Sequence, residues 1–365
     1  MRVLQILSSL NRISGVANVV MNYYRMLKDK VTFDFLLYGE VEDSFAEEAE
    51  SYGSKLYYLP KFGIASYGKY KKNIKKLLDE HGAEYDVVHI HELMSQRIII
   101  PIAHEHGLKV VIHSHGPYPD RKMVGLFKAV RNKFLLKGFD TDADFFLACS
   151  EHAGKAFKKQ KNVKVLKNGV DIKRYIRANG MRNELDITHN CFVVGCVGRI
   201  TEQKNPLAII DIFSEIKKIQ NNSILIIAGE GEEKYISAMK NRISGYKLND
   251  CVKFLGNCKK VPELMQSLDV FLMPSLWEGL PVVLVEAQAA GLPCYCSENI
   301  PQEANLTDNV KFLSLETDFS EWAKEIVTGK KITEAEVFEG FVKTGYELGN
   351  NAEALLEIYS GVVKR

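Results

Sequence analysis

The chain has 365 residues, 46% of them hydrophobic, with 48 Lys plus Arg against 46 Asp plus Glu for a net charge of +2. That length holds two domains of ordinary size with packed cores, and the near balance of charge excludes a surface built as a whole for nucleic acid, so no nucleic-acid partner is expected. Seven cysteines, odd in number, without a C-x-x-C pair and mostly inside apolar runs, point to reduced, buried thiols in a cytoplasmic protein.

Short apolar runs alternate with longer segments of helical periodicity, the pattern of βα units and largely parallel sheets. Strands are predicted in the first half at 3–7, 33–37, 55–59, 86–90, 109–113, 144–149 and 163–166. In the second half they are predicted at 192–197, 223–228, 252–255, 269–273, 293–296 and 310–313. Both halves read as doubly wound α/β domains. The turn Asn168-Gly169-Val170-Asp171 divides them into an N-terminal domain over 1–168 and a C-terminal domain over 169–348. No Pro-, Gly- or Ser-rich linker intervenes, so two lobes in close contact around a cleft are expected. One helix shows the pattern clearly: Asn205 is suited to cap it, Pro206 fits the first turn, and Ile209, Ile212, Phe213 and Ile216 share a face. A closing helix over 351–363, within a C-terminal segment 349–365, carries an apolar stripe of Ala354, Leu355, Ile358 and Tyr359 and is free to pack back on either lobe, the N-terminal domain included.

In open α/β sheets ligands sit beyond the carboxyl ends of the strands, so polar residues just after strands are the candidates. After the first strand, Ser14-Gly15 leads into a helix at Val16; small residues there suit either a phosphate or sugar, or merely a tight turn. His89 and His91 flank Ile90 and share a face, but no third acidic or thiol ligand follows at a suitable spacing, so no metal is expected. The fifth strand ends in His113-Ser114-His115-Gly116, where His115 is placed to hydrogen-bond a sugar hydroxyl or a leaving oxygen and His113 reads as a satisfied packing residue. Asp142-Ala143-Asp144 has the spacing with which some sugar transferases hold a divalent ion, yet it runs straight into an apolar strand and reads as the start of that strand.

In the second half, Gly198-Arg199 and Lys204 bring two fixed positive charges beside a helix N-terminus, suited to clamping a pyrophosphate and stabilising its departing charge. Ala228-Gly229-Glu230-Gly231-Glu232 lets the backbone bend near a base or ribose, while lacking the third glycine of a nicotinamide-dinucleotide site. The most informative segment is 269–293. An apolar strand stops at Pro274, a loop carries Glu278 and Gly279, and Pro281 stands as the first residue of a helix that carries Glu286 two turns in. The free N–H groups of that helix end and the bare Gly279 suit a phosphate, with carboxylates on either side for hydroxyls. No P-loop, G-x-S-x-G elbow or H-E-x-x-H occurs.

Two basic windows with apolar residues at helical spacing, 61–76 and 121–137, fit either an anionic membrane surface or a solvated helix face. Arg2 precedes only a short apolar run, and no apolar stretch approaches the roughly 20 residues that cross a bilayer. Neither export nor a membrane span is expected; the protein is placed in the cytoplasm, at most peripheral to the inner face of the membrane.

Taken in order, Ser14-Gly15, His115-Gly116, Ser150-Glu151, Asn168-Gly169-Val170-Asp171, Gly198-Arg199 with Lys204, Gly229-Glu230-Gly231, Phe254-Leu255-Gly256 and the E-x7-E pair Glu278 and Glu286 resemble the retaining glycosyltransferases of family 4. The capsule and exopolysaccharide members are the most similar, and the likeness runs over nearly the whole chain. It implies the GT-B fold, two Rossmann-like domains facing across a cleft. It also implies catalytic roles for His115, Arg199, Lys204 and Glu278, and donor-binding roles for Gly15, Gly198, Gly229, Gly231, Gly279, Leu280, Pro281 and Glu286. Arg199 and Lys204 would hold the donor diphosphate, Glu278 the donor sugar, Glu286 the ribose, and His115 would touch the sugar near the reacting carbon. Neither metal nor cofactor is implied. The implied reaction moves a hexose from a uridine-diphosphate sugar to a hydroxyl of a lipid-linked glycan. A nucleotide-sugar epimerase of the same fold and a non-catalytic nucleotide-sugar-binding partner subunit are the alternatives. Departures from the family pattern are Ser14, Gly15, Ala17 and Asn18 where two glycines and a nearby glutamate are usual, and Cys294 to Pro301 in place of a small-residue strand and a Gly-Gly turn.

Overall fold

The computed structural model describes residues 1–12, 14–60, 66–116, 142–157, 159–160, 162–278 and 281–364. The chain forms two units, one of Met1–Gly169 with Leu348–Arg365 and one of Val170–Glu347.

The first unit holds a seven-stranded sheet of β1 (Arg2–Ile6), β2 (Thr32–Leu37), β3 (Leu56–Tyr58), β4 (Val87–Ile90), β5 (Lys109–Ser114), β6 (Phe145–Ala148) and β7 (Lys164–Val165), all parallel, in the order β3-β2-β1-β4-β5-β6-β7. The second holds six parallel strands, β8 (Phe192–Val197), β9 (Ser223–Ala228), β10 (Val252–Gly256), β11 (Val270–Met273), β12 (Cys294–Ser297) and β13 (Val310–Leu313), in the order β10-β9-β8-β11-β12-β13. Each predicted strand is present within one residue at either end. Helices cover both faces of a parallel sheet, so its strands read as continuous apolar runs; every residue of Ser223–Ala228 and of Val87–Ile90 is buried. The strand order reverses between β1 and β4 in one unit and between β8 and β11 in the other, and a ligand binds at such a switch point.

Alternation assigns the faces of the first sheet. Leu4, Ile6, Val88, Ile90, Val110, Ile112 and Phe146 pack with Tyr70, Ile74, Leu77 and Leu78 of the helix Tyr67–His81. Val3, Val87, Val111 and Leu147 face the opposite way, onto the helix Gly15–Leu27 and the closing helix Leu348–Val363. That closing helix starts three residues earlier than predicted, and its buried stripe is Leu348, Ala352, Leu355, Ile358, Tyr359 and Val362, with Ala354 at the margin.

Of the two basic windows, 121–137 and residues 61–65 lie outside the described residues. In the remainder, the apolar stripe of Tyr67–His81 is buried in its own unit, and Lys75 and Lys76 pair with Asp79 and Glu80. What this helix offers outward is the lysine face of Lys69, Lys71 and Lys72. Among the described residues no helix is long and apolar enough to cross a membrane.

Candidate active site

The second unit gathers its polar residues behind β8 and β11, the two strands at its switch point. β8 runs into Gly198, whose φ of +144° takes the chain where only glycine goes without strain. A short turn, Glu202–Lys204, follows; Asn205 then adopts the left-handed conformation, and the helix Pro206–Ile219 begins. Asn205 makes no side-chain cap, in contrast to the expectation; its role is to turn the backbone.

The loop after β9 is zipped onto the loop after β8. Gly198 N–H donates to Ala228 O at 2.9 Å, Ile200 N–H to Glu230 O at 2.9 Å, and Glu232 N–H to Ile200 O at 3.1 Å. A Cβ on Gly229 would stand 2.0 Å from Gly198 O, and one on Gly231 would stand 2.1 Å from Ile200 O. The close approach that these glycines permit is therefore to the neighbouring loop, and it fixes the backbone that carries Arg199. Gly198 has a related part: a Cβ there would sit 3.2 Å from Lys204 Cε, so the lysine stem lies across it.

Lys204 Nζ is 2.7 Å from Glu278 Oε1, with the two side chains 21% and 9% exposed. The other carboxylate oxygen, Oε2, accepts from Gln203 Nε2 at 3.0 Å; the same amide donates to Trp277 O at 3.0 Å, and Gln203 O accepts from Leu276 N–H at 2.8 Å. Residues 203 and 204 thus clamp the segment 276–278 in place. The two cations differ as a result: Lys204 is neutralised by Glu278, whereas Arg199 is exposed, and no hydrogen bond or ion pair holds its guanidinium among the described residues. Trp277, 53% exposed, lies beside this pair.

Gly279 and Leu280 fall outside the described residues. Pro281 is buried and extended and precedes the helix Val282–Ala289, so it is the cap position rather than the first helical residue. Glu286 is accordingly the fifth residue of that helix, little more than one turn in. Its Oε1 accepts from the Tyr175 hydroxyl at 2.7 Å. Burial raises the Glu286 pKa, and the bonds from Tyr175 and the charge of Arg174 offset only part of that. A half-buried carboxyl with one firm partner keeps lone pairs for further hydroxyl donors.

In the first unit, Ser14 caps the helix Gly15–Leu27, its Oγ accepting from Ala17 N–H at 3.4 Å, and helix starts at Gly15, one residue before the expected Val16. A Cβ on Gly15 would meet nothing within 4 Å, so there is room beside it. His115 stands just past β5, where burial lowers its pKa to about 4 and keeps it neutral at pH 7. Its tautomer follows from its partners. Gln5 Oε1 only accepts, so His91 donates to it from Nε2 at 2.8 Å. His91 Nδ1 must then accept, and His115 donates to it from Nε2 at 2.7 Å. The buried His115 Nδ1 is left with a lone pair and no partner among the described residues, so in this state that nitrogen can accept a hydrogen bond but not give one.

His113 is buried as expected but not satisfied, because neither ring nitrogen has a hydrogen-bond partner among the described residues. It also supplies the third ligand-type residue that sequence spacing did not reveal: nitrogens of His89, His91 and His113 lie within 4.8 Å of one another. Asp144 is occupied at the start of its strand, accepting from Val110 N–H at 2.9 Å and pairing with His104 and Lys109. All seven cysteines are free thiols. Sequence reasoning missed Gln203, which lay inside a segment it had singled out, and Tyr175, whose partner is 111 residues away.

The description "Glycosyltransferase Family 4" matches residues 13–174, and "Glycosyl transferases group 1" matches residues 179–327. The chain is 33% identical to EpsF of Bacillus subtilis (strain 168), whose name assigns it as a glycosyltransferase, over 98% of this chain and 96% of EpsF. It is 30% identical, over 62% of this chain and 60% of the relative, to the UDP-Gal:alpha-D-GlcNAc-diphosphoundecaprenol alpha-1,3-galactosyltransferase of Escherichia coli. The crystal structure of Anabaena HepE in complex with UDP superposes with a TM-score of 0.76 at 18% identity, covering 99% of this chain and 100% of HepE. With both family descriptions matched in order and EpsF aligned from end to end, the chain belongs to glycosyltransferase family 4 and is a glycosyltransferase with the two Rossmann-like domains of the GT-B fold.

Proposed function

We propose that the chain transfers a hexose, with retention of configuration, from a uridine-diphosphate sugar to a hydroxyl of a lipid-linked glycan during surface polysaccharide assembly. The observation that carries this reading is the grouping of a free Arg199 with the Lys204–Glu278 pair behind the switch-point strands of the second unit. An arginine without a partner among the described residues suits bidentate binding of a diphosphate. The ion pair suits a ligand that is anionic at one end and hydroxylated beside it: the diphosphate accepts from Lys204 while a sugar hydroxyl donates to Glu278, and neither charge is left unpaired. Glu286, steadied by Tyr175, takes the ribose hydroxyls, and His115 Nδ1 accepts from a hydroxyl of the sugar. As the bond to the sugar breaks, charge grows on the departing diphosphate, where the two cations stabilise it most. In this reading they do the work that a divalent ion does elsewhere. The uridine donor and the polyprenyl-diphosphate acceptor of the Escherichia coli relative, and the UDP and UDP-glucose complexes of HepE, support the choice of base and acceptor.

The exposed lysines 69, 71 and 72 would hold the protein at an anionic inner membrane face by charge alone, since the apolar stripe beneath them is buried.

The test is a panel of UDP-, GDP- and dTDP-hexoses with a polyprenyl-diphosphate-linked sugar acceptor on vesicles with and without anionic lipid. Release of UDP that requires the acceptor, an unchanged anomeric configuration in the product, and no gain on adding magnesium are expected. Formation of an isomeric sugar nucleotide without acceptor would establish the epimerase instead, and binding without turnover the partner subunit; the relatives give the epimerase no support.

A further inference from the structure

The first unit carries a second constellation, of which the proposed sugar transfer uses only His115. β4 and β5 are neighbours with Ile90 beside Ile112, so residues 91 and 113 follow side by side. His89 and His91 on one strand, and His113 and His115 on the next, are each two residues apart, so all four imidazoles leave the same face of the sheet. That face is apolar at Val87 and Val111 and becomes histidine toward the carboxyl edge. The ring centroids of His89 and His91 are 4.1 Å apart, those of His89 and His113 5.5 Å, and those of His91 and His113 5.5 Å.

Two features set this cluster apart from ordinary core histidines. First, four of its nitrogens have no partner among the described residues: His89 Nε2, both nitrogens of His113, and His115 Nδ1, with His89 and His113 each 1% exposed. Each unsatisfied buried polar atom is destabilising, a burden that a leucine or valine would avoid. Second, the outward nitrogens are held. His89 Nδ1 is 2.6 Å from the Tyr359 hydroxyl, His91 Nε2 donates to Gln5 Oε1, and Gln5 Nε2 donates to the Tyr359 oxygen at 3.1 Å. His89 and His91 are thus each held at one nitrogen by a partner outside the cluster, the way outer-shell partners orient metal ligands. Burial keeps His89, His91 and His113 neutral, the form in which imidazole ligates.

We propose that His89, His91 and His113 bind one divalent transition-metal ion of the zinc or cobalt class, with His115 beside them, and that Gln5 and Tyr359 orient the ligands. Imidazole nitrogens without carboxylate or thiolate select borderline ions over magnesium or calcium. His91 contributes Nδ1, so the ion takes the place of the bond to His115.

The test uses the full chain without a polyhistidine tag, stripped with a chelator and titrated with zinc or with cobalt. About one equivalent retained through gel filtration, visible ligand-field absorption of the cobalt form, and a rise in melting temperature with zinc are expected. The variant His89→Ala/His113→Ala should lose all three, while His189→Ala, in the other unit, should keep them. Should the double variant fail to fold, Tyr359→Phe removes only an outer hydroxyl and should weaken binding by about 10-fold or more. Retention far below one equivalent, or binding equal in the wild type and in either cluster variant, would overturn the proposal.

Discussion

Arg199→Ala is expected to lower kcat/KM by about 100- to 1,000-fold, the usual effect of removing one group that stabilises developing charge, and to leave the melting temperature unchanged. The guanidinium is exposed and has no partner among the described residues, so nothing in the fold depends on it. Lys204→Ala is expected to cost as much activity and stability besides. Glu278 is only 9% exposed and would be left with Gln203 as its remaining partner, an imbalance of about 1–3 kcal/mol. Adding Glu278→Gln to Lys204→Ala removes the stranded charge, so stability should return while activity stays low. Initial rates and melting curves of the four proteins check this. Equal stability of Lys204→Ala and wild type would show that the ion pair carries no structural weight, and undiminished activity of Arg199→Ala would remove it from the donor site.

Gly229→Ala should be the most damaging single methyl in the second unit. Its Cβ would lie 2.0 Å from a backbone oxygen that three inter-loop hydrogen bonds hold in place, at a φ of +142° that side chains rarely adopt. Overpacking and backbone strain together are expected to cost about 3 kcal/mol or more. The loop that yields is the one carrying Arg199, so UDP affinity should fall with stability. Gly361→Ala, in the closing helix, is the control, because its added methyl meets nothing within 4 Å and its position is helical. Denaturant unfolding and UDP titration of both variants make the comparison; a stable, UDP-binding Gly229→Ala would refute the role given to the zipped loops.

Much of this was legible in the sequence because parallel strands covered on both faces appear as unbroken apolar runs, which is why each strand was found within a residue. The loops at the switch points were legible for a related reason: a strand that ends in Gly198-Arg199, or in Pro274 before Glu278, changes character abruptly at the sheet edge. Partnerships that depend on strand order were not. Nothing in the spacing of His89, His91 and His113 says that β4 lies beside β5, and without that neighbour the first two histidines had no third. Tyr175 and Glu286 meet only because the second unit folds its first helix against its penultimate sheet connection, and the short distance between Lys204 and Glu278 comes from β8 and β11 being adjacent. The glycines of 229–231 were recognised as a place of close approach, but the sequence does not say that the approaching group is the neighbouring loop.

On the proposed reading, Arg199 and Lys204 hold a donor diphosphate at the edge of the second sheet, and a crystal structure of the chain with UDP is the decisive experiment. Diphosphate oxygens within hydrogen-bond distance of both side chains, and ribose hydroxyls donating to Glu286, are expected. UDP bound elsewhere, or bound with Lys204 still closed on Glu278 and Arg199 directed away from the phosphates, would contradict it.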